Sequence, residues 1–123
     1  MQSDYDNNWG IDICANATNP PTGSLGVGFK TITMYLTGTP GAAELRVVVH
    51  RRGDADDVWY CATFSSGNAV APAALNTKCW DLSGTALTEA DVRTIDRVGI
   101  QVPSSSTAIT LNNLCITRIL FGT

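Results

Sequence analysis

The stretch ELRVVVHR, residues 44–51, alternates between polar and apolar side chains from Glu44 to His50 at every position except Val48. Successive side chains of a β-strand point to opposite faces, so a period of two is typical of a strand with one face buried. The pattern therefore predicts a strand that has an apolar face and a mostly polar face, with Leu45, Val47 and Val49 on the first and Arg46, Val48 and His50 on the second.

The same alternation continues outward in both directions. The run RRGDADD has turn chemistry, and VWYCATF at 58–64 is typical of the returning strand of a hairpin. One stretch departs from the pattern, because LTEADVRTID at 87–96 offers Thr88 as the N-cap of a short helical turn. Strands between Gly- and Pro-rich loops predict one all-β domain over residues 1–123, an antiparallel β-sandwich with at most one short helix. The remaining predicted strands are VGFKTITMYLT at 27–37, RVGIQVP at 97–103 and LNNLCITRILF at 111–121.

Composition narrows the range of partners. The chain has 123 residues and a net charge of −3, with a pI of about 4.8. It lacks the basic field that gathers nucleic acid or anionic membrane, so we expect neither as a partner. The first ten residues lack a basic n-region and an apolar h-region; if the chain is an excised domain, its export signal lies upstream in the parent protein.

Four cysteines, without a CxxC motif and with a single histidine, favour disulfides in a secreted protein over a zinc site. Four cysteines allow three connectivities. We favour Cys61–Cys79 together with Cys14–Cys115, the second of which would tie the first strand to the last.

Several segments together resemble a known family: VWYCATF, LNTKCWDLSGTALT, IDRVGIQVP and LNNLCITRI. They are similar to the jelly-roll β-sandwich modules attached to bacterial polysaccharide-degrading enzymes, namely carbohydrate-binding modules and related galactose-binding-like domains. The resemblance covers residues 44–121 and is most specific at residues 76–81, whereas only Trp9, Gly10 and Cys14 match over residues 1–40. It implies that Cys79 fastens its loop to Cys61, that Trp80 sits in a rigid frame and that Asp81 fixes the next turn.

The candidate ligand contacts are aromatic and planar polar residues, because sugars stack on aromatic rings and hydrogen-bond through their hydroxyls. Trp9, in the polar run YDNNWG, is the Trp we expect to be most exposed. Trp59 and Tyr60 point to opposite faces, so one packs inward and the other is available. For Trp80 we favour packing in the core or anchoring of the loop over a ligand platform. On the polar sheet face, where Arg97 also points outward, the candidates are Arg46, His50 and Gln101, with Asn113 as a further candidate whose direction the pattern leaves open. The alternative is an ordinary solvated face, since antiparallel sheets commonly have one polar face.

Two other signals are discounted. Arg52-Gly53-Asp54 lies where a hairpin turn is expected, and Asn16-Ala17-Thr18 is a glycosylation sequon that matters only in a eukaryotic host. We expect no cofactor. A structural Ca²⁺ held by Asp4 and Asp6 remains a hypothesis, since many jelly-roll modules carry one.

The positions of the acidic residues distinguish a catalytic function from a binding function. Nearly all acids lie in turns or termini, Glu44 has no strand-borne acidic partner, and no GxSxG motif occurs, which disfavours a hydrolase or lyase. Together with this lack of a catalytic constellation, the resemblance implies a secreted, non-catalytic module that binds a polysaccharide or oligosaccharide beside a catalytic domain of the parent protein. The alternative is a structural or adhesive extracellular domain that binds protein.

Overall fold

The structure, a computed structural model, describes residues 10–39, 44–103 and 110–123. The predicted all-β class is confirmed, and the predicted helical turn occurs as one of two short 3₁₀ helices, Pro72–Ala74 and Asp91–Thr94. No helix within these ranges is long or apolar enough to cross a membrane. The strands are β1 (Gly10–Asn16), β2 (Thr31–Thr39), β3 (Arg46–Arg51), β4 (Tyr60–Thr63), β5 (Ala69–Val70), β6 (Ile95–Pro103) and β7 (Asn112–Gly122).

The strands form two antiparallel sheets. The four-stranded sheet has the order β1-β6-β3-β4, and the three-stranded sheet has the order β5-β2-β7. In the hairpin of β3 and β4, Arg46 lies opposite Thr63 and Val49 lies opposite Tyr60, which confirms the pairing predicted from ELRVVVHR and VWYCATF. β6, far away in sequence, runs between β1 and β3 and so joins the N-terminal strand to the hairpin.

Apolar side chains from both sheets meet in one hydrophobic core. Ile32 and Met34 of β2 are each 1% exposed, and Val49 of β3 and Ile100 of β6 are fully buried. The alternation predicted for β3 is confirmed, because Leu45, Val47 and Val49 all belong to this core. We call the side of the four-stranded sheet that turns away from the core its outer face.

One of the two predicted disulfides is present. Cys61 and Cys79 are bonded, with a Cα–Cα distance of 5.4 Å. The predicted Cys14–Cys115 bridge is wrong, since both cysteines are free and exposed. Cys14 lies on the outer face of the four-stranded sheet, whereas Cys115 lies in β7 opposite Thr37, on the side of the other sheet that turns away from the core. A disulfide spans Cα atoms 4.4–6.8 Å apart, and two side chains directed away from a shared core cannot meet.

Ile100 and Ile13 lie opposite each other in the β1–β6 pairing. Truncating each in turn shows how much each position contributes to the free energy of unfolding. Ile100 is fully buried and Ile13 is 41% exposed. We expect Ile100→Ala to lower the free energy of unfolding by about 2–5 kcal/mol, because it leaves a cavity in the core. Ile13→Ala should cost less than half as much. Urea unfolding measures both, and equal losses would contradict this location of the core.

Candidate ligand-binding face

The outer face of the four-stranded sheet carries three rows of side chains that run across the strands. The register of β1 with β6, of β6 with β3 and of β3 with β4 puts the members of each row side by side. Polar groups occupy the first and third rows, and small or apolar groups occupy the middle row. The rows are Asp12, Gln101, Arg46 and Thr63; then Cys14, Gly99, Val48 and Cys61; then Asn16, Arg97 and His50.

The first row is held together by hydrogen bonds. One carboxylate oxygen of Glu44 accepts from Arg46 Nε at 3.0 Å and from the Thr63 hydroxyl at 3.0 Å. Burial against the sheet raises the pKa of Asp12, and a hydrogen bond with Gln101 opposes that rise. The prediction that Arg46 and Gln101 share this face is confirmed. The guanidinium of Arg46 is already occupied by a carboxylate, and the amide of Gln101 is shared with Asp12.

His50 points to the outer face, as predicted, but a ligand cannot reach it. His50 is buried, with only 2% of its surface exposed to solvent. Its Nδ1 lies 2.7 Å from Oδ1 of Asp96, and its Nε2 lies 3.0 Å from the Ala55 carbonyl oxygen. With both ring nitrogens engaged, His50 anchors the turn that follows β3 and does not orient a sugar hydroxyl.

Trp59 packs beside His50 and Arg97 at the same end of the outer face. Its ring lies 5.3 Å from the His50 ring, and the Arg97 guanidinium lies 5.0 Å from its centroid. Its indole N–H donates to the Asp56 carbonyl oxygen at 2.9 Å. Trp59 is therefore a half-buried part of this cluster, with a cation on its ring in place of a ligand.

Tyr60 is the inward member of the Trp59–Tyr60 pair. It is 5% exposed and belongs to the core, so the prediction that one of the two packs inward is confirmed. Tyr60 is thus removed from the set of ligand contacts by its position opposite Val49.

Trp80 differs from the expectation. The sequence favoured core packing or loop anchoring, but the side chain is 58% exposed. The expectation failed because the disulfide beside Trp80 lies on the outer face, where Cys61 points, and not inside the core as in immunoglobulin-type domains. Its neighbour Leu82 is 66% exposed. Two large apolar side chains of this loop are therefore exposed, next to a disulfide that ties the loop to the outer face.

The loop that carries Trp80, residues 77–85, is internally cross-linked. The Asn76 side-chain oxygen accepts the Lys78 N–H at 2.8 Å, and the Thr77 hydroxyl oxygen accepts the Thr85 N–H at 2.9 Å. Asp81 Oδ1 accepts the Ser83 N–H at 2.9 Å, and hydrogen bonds from Ser83 hold the pKa of Asp81 below its usual value. Asp81 thus fixes the turn after Trp80, as the resemblance implied.

The Trp80 loop borders the outer face because Asn76, the residue just before the loop, pairs with Cys61 of β4. Cys61 and Asn76 exchange two backbone hydrogen bonds of 2.9 Å, and Asn76 pairs in turn with Ala86. The middle row therefore extends past β4 to the base of the loop, and the Cys61–Cys79 bond ties the loop back to that row.

Cys14 lies at the other end of the middle row. A Cβ built on Gly99 would come within 2.7 Å of the Cys14 sulfur, so the thiol leans over the glycine. Burial raises the pKa of the Cys14 thiol, the Asp12 carboxylate raises it further, and Arg97 lowers it. The thiol is therefore protonated at neutral pH and is a poor nucleophile.

Other predicted contacts lie elsewhere. Asn113 is in β7 of the three-stranded sheet, in the left-handed region with a φ of 53°, so it does not share a sheet with Arg46 and Gln101. Trp9, Asp4 and Asp6 lie outside the described residues. Within the described ranges, no group of three or more His, Cys, Asp or Glu side chains is arranged to hold a metal ion.

Sequence reasoning missed Asp12, Asn16 and Leu82. The stretch GIDICAN alternates in the same way as ELRVVVHR, so the sequence pattern could have predicted that Asp12 and Asn16 point away from the core. What the pattern does not contain is that β1 pairs with β6, which brings these two residues beside Gln101 and Arg97.

The outer face is open and is not an enclosed pocket. One surface depression, of about 460 Å³, lies away from it, and another, of about 350 Å³, borders its first row at Thr63 and the adjoining Glu44. An open face suits a polymer that passes across the molecule better than it suits a small ligand, which pockets usually enclose. The first depression is lined by Gly28, Phe29, Lys30, Glu89, Ala90, Arg93 and Thr123, and the second by Leu36, Gly38, Glu44, Leu45, Thr63, Phe64, Ser65 and Ser66.

Comparisons of this chain with family models, with curated proteins and with solved structures give no match. The assignment of a function therefore rests on the geometry above.

His50→Leu tests whether His50 is a structural anchor. It leaves the Asp96 carboxylate and the Ala55 carbonyl without their partner, so we expect it to lower the free energy of unfolding by about 2–4 kcal/mol. His50→Gln, which keeps a donor, should cost less. The measurement is urea unfolding followed by circular dichroism. An unchanged midpoint for His50→Leu would show that the two contacts contribute nothing.

Proposed function

We propose that this chain is a non-catalytic carbohydrate-binding module of the jelly-roll β-sandwich type. The observation that carries the proposal is Trp80, a Trp that is 58% exposed on a loop held by a disulfide at the margin of a polar sheet face. Large aromatics are mostly buried in folded proteins, and an exposed one on a rigid support is typical of a binding surface.

The chemistry of the face fits sugar recognition. The exposed Trp80 ring offers an apolar surface on which the C–H face of a sugar ring can stack. Asp12, Gln101 and Asn16 offer acceptors and donors for hydroxyls, and they lie on neighbouring strands. Because the Trp80 loop is cross-linked before any ligand binds, little conformational entropy is lost on binding.

The charges favour a neutral glycan over a polyuronate. Arg46 is paired with Glu44 at 3.0 Å, and Arg97 is paired with Asp56 at 3.1 Å and with Asp96 at 3.7 Å. Neither guanidinium is left to form a bidentate pair with a ligand carboxylate, which is the usual recognition of such groups. The net charge of −3 also repels a polyanion.

Binding without catalysis is supported by the state of the candidate catalytic groups. His50 is buried with both nitrogens engaged, and Glu44 accepts from Arg46 and Thr63. A general base must be within reach of a substrate proton, and His50 is not.

Two further parts of the proposal concern the setting. The Cys61–Cys79 bond supports a secreted protein, since disulfides persist in oxidising compartments. The resemblance of residues 76–81 to polysaccharide-enzyme modules supports a tether to a catalytic domain.

Affinity electrophoresis tests the binding proposal. The protein is run through native gels that contain galactomannan, xyloglucan, xylan, soluble β-glucan or polygalacturonate. We expect retardation in one or more neutral gels and none in polygalacturonate. Trp80→Ala should weaken the retarding interaction by about tenfold or more, because truncation of an aromatic anchor commonly costs ~2 kcal/mol.

Tyr35→Ala is the matched control, an aromatic truncation in the three-stranded sheet that should leave retardation unchanged. Free migration through every gel, together with no pull-down on insoluble cellulose or chitin, would remove the proposal and favour a protein-binding domain. Retardation that survives Trp80→Ala would move the site away from this loop.

A further inference from the structure

The edge strands of the two sheets differ in how well they are protected from pairing with another chain. The β4 edge is continued by Asn76, and β5 has only two residues. β7 is longer, but its pairing with β2 shifts register between Tyr35 and Leu36 and again between Thr37 and Thr39. Short strands, register irregularities and coverage are the usual means by which proteins prevent an edge from pairing with another chain.

β1 shows none of these protections. Its seven residues, GIDICAN, pair with β6 in one unbroken register from Gly10 to Asn16. It contains no Pro and no Lys, and its one charged residue is Asp12. Residues 12–16 are all exposed, and among the described residues β6 is the only strand that pairs with β1.

The direction of the β1 amide groups follows from one hydrogen bond. The Ala17 N–H donates to the Asp96 carbonyl oxygen at 2.7 Å, in the same register as the ladder. Antiparallel pairs alternate between hydrogen-bonded and non-hydrogen-bonded residues, so Ala15 and Ile13 also direct their backbone groups to β6. The N–H and C=O groups of Asp12, Cys14 and Asn16 therefore face the free edge.

We propose that the free edge of β1 binds the β1 strand of a second copy of this chain, antiparallel and centred on Cys14. Cys14 then lies opposite Cys14 of the second copy, and Asp12 lies opposite Asn16 of the second copy. Each of these pairs joins two residues whose backbone groups face the edge, so each exchanges two hydrogen bonds.

Charge and overlap select this register among those that the hydrogen-bonding pattern allows. A register centred on Ala15 would leave Asp12 opposite Thr18, outside β1. A register centred on Cys14 instead pairs all three edge-facing residues within the strand. A register centred on Asp12 would put two carboxylates directly opposite each other, and one centred on Ile13 would leave them at a diagonal of ~7–8 Å. Centring on Cys14 separates the carboxylates and places each beside an Asn amide. Like charges directly opposite destabilise a strand pair, whereas a carboxylate and an amide can hydrogen-bond.

The dimer would join the two four-stranded sheets into one continuous sheet. Directly opposite residues point to the same side, so both outer faces would lie side by side on one surface. If the proposed function is correct, the dimer presents two glycan-binding faces to one polymer, and the second contact becomes intramolecular. Dimer formation itself does not depend on that function.

A disulfide between the two Cys14 residues would report the proposed contact between the two copies. Hydrogen-bonded residues opposite each other have Cα atoms ~5.5 Å apart, within the range that a disulfide spans. The thiol leans over Gly99, so it must rotate about its Cα–Cβ bond toward the edge. With oxidised glutathione, two Cys14 thiols lose two hydrogen atoms and form one S–S bond, and the glutathione disulfide takes up both as two glutathione thiols.

Sedimentation velocity of the reduced chain tests the interface without any glycan. We expect a dimer whose population rises with protein concentration. Asn16→Asp should raise the dimer dissociation constant about tenfold, since it sets Asp12 opposite a second carboxylate at two symmetric positions. Asp12→Asn combined with Asn16→Asp should restore the wild-type value. A monomer at every concentration, or no effect of Asn16→Asp, would overturn the proposal.

Cys14→Pro tests the backbone contact, because Pro is tolerated in an edge strand where the N–H faces away from the sheet. We expect this variant to be folded and monomeric. A folded dimer would contradict the proposed register. If Cys14→Pro does not fold, the test rests on Asn16→Asp. Under oxidised glutathione at pH ~9, Cys115→Ser should form a covalent dimer through Cys14 and Cys14→Ser should not. The reverse pattern would place the contact on the three-stranded sheet.

Discussion

The candidate site depends on the bond between Cys61 and Cys79. Cys61 lies in the middle row of the outer face, and Cys79 lies in a loop whose neighbouring side chains, Trp80 and Leu82, are exposed. Burial of apolar area is what normally holds a loop on a domain, and this loop directs apolar area into solvent instead. The cross-link and the hydrogen bonds of Asn76, Thr77 and Asp81 replace that burial. Rigidity and exposure of Trp80 therefore have the same origin.

The two ends of the outer face differ for a related reason. At the His50 end, the side chains satisfy one another: Asp96, the Ala55 carbonyl and the Trp59 ring enclose the imidazole, and Arg97 covers the indole. At the opposite end, Asp12 and Gln101 remain on the surface beside the free edge of β1. A ligand on this face would meet a closed cluster on one side and open polar groups on the other. The same edge of β1, which no other described strand pairs with, is the one we propose to bind a second copy.

Much of this arrangement was predictable from local pattern, and the remainder depends on contacts that are distant in sequence. Period-two alternation in ELRVVVHR and RVGIQVP correctly predicts which residues face the core, because one face of each strand must meet it, but it does not predict that Val48 and His50 on the opposite face are buried as well. The Cys14–Cys115 bridge was wrong because alternation within each strand does not reveal which side of which sheet a cysteine occupies. His50 was directed outward as predicted, yet its burial comes from the turn at residues 52–58, which no strand pattern describes. Trp80 was misjudged because a Trp beside a disulfide has the same sequence whether the disulfide is inside the core or outside it.

A ¹⁵N–¹H correlation spectrum of the chain, titrated with neutral oligosaccharides of the gluco-, xylo- and manno- series, tests most directly whether the outer face binds glycan. We expect shifts of the Trp80 indole N–H, of the backbone amides of residues 77–85 and of the Gln101 side-chain amide. The Trp59 indole, whose N–H is already bonded to Asp56, should shift little, and Asn113 in the other sheet should not move. Shifts centred on the three-stranded sheet, or none with any sugar, would contradict the assignment of this face.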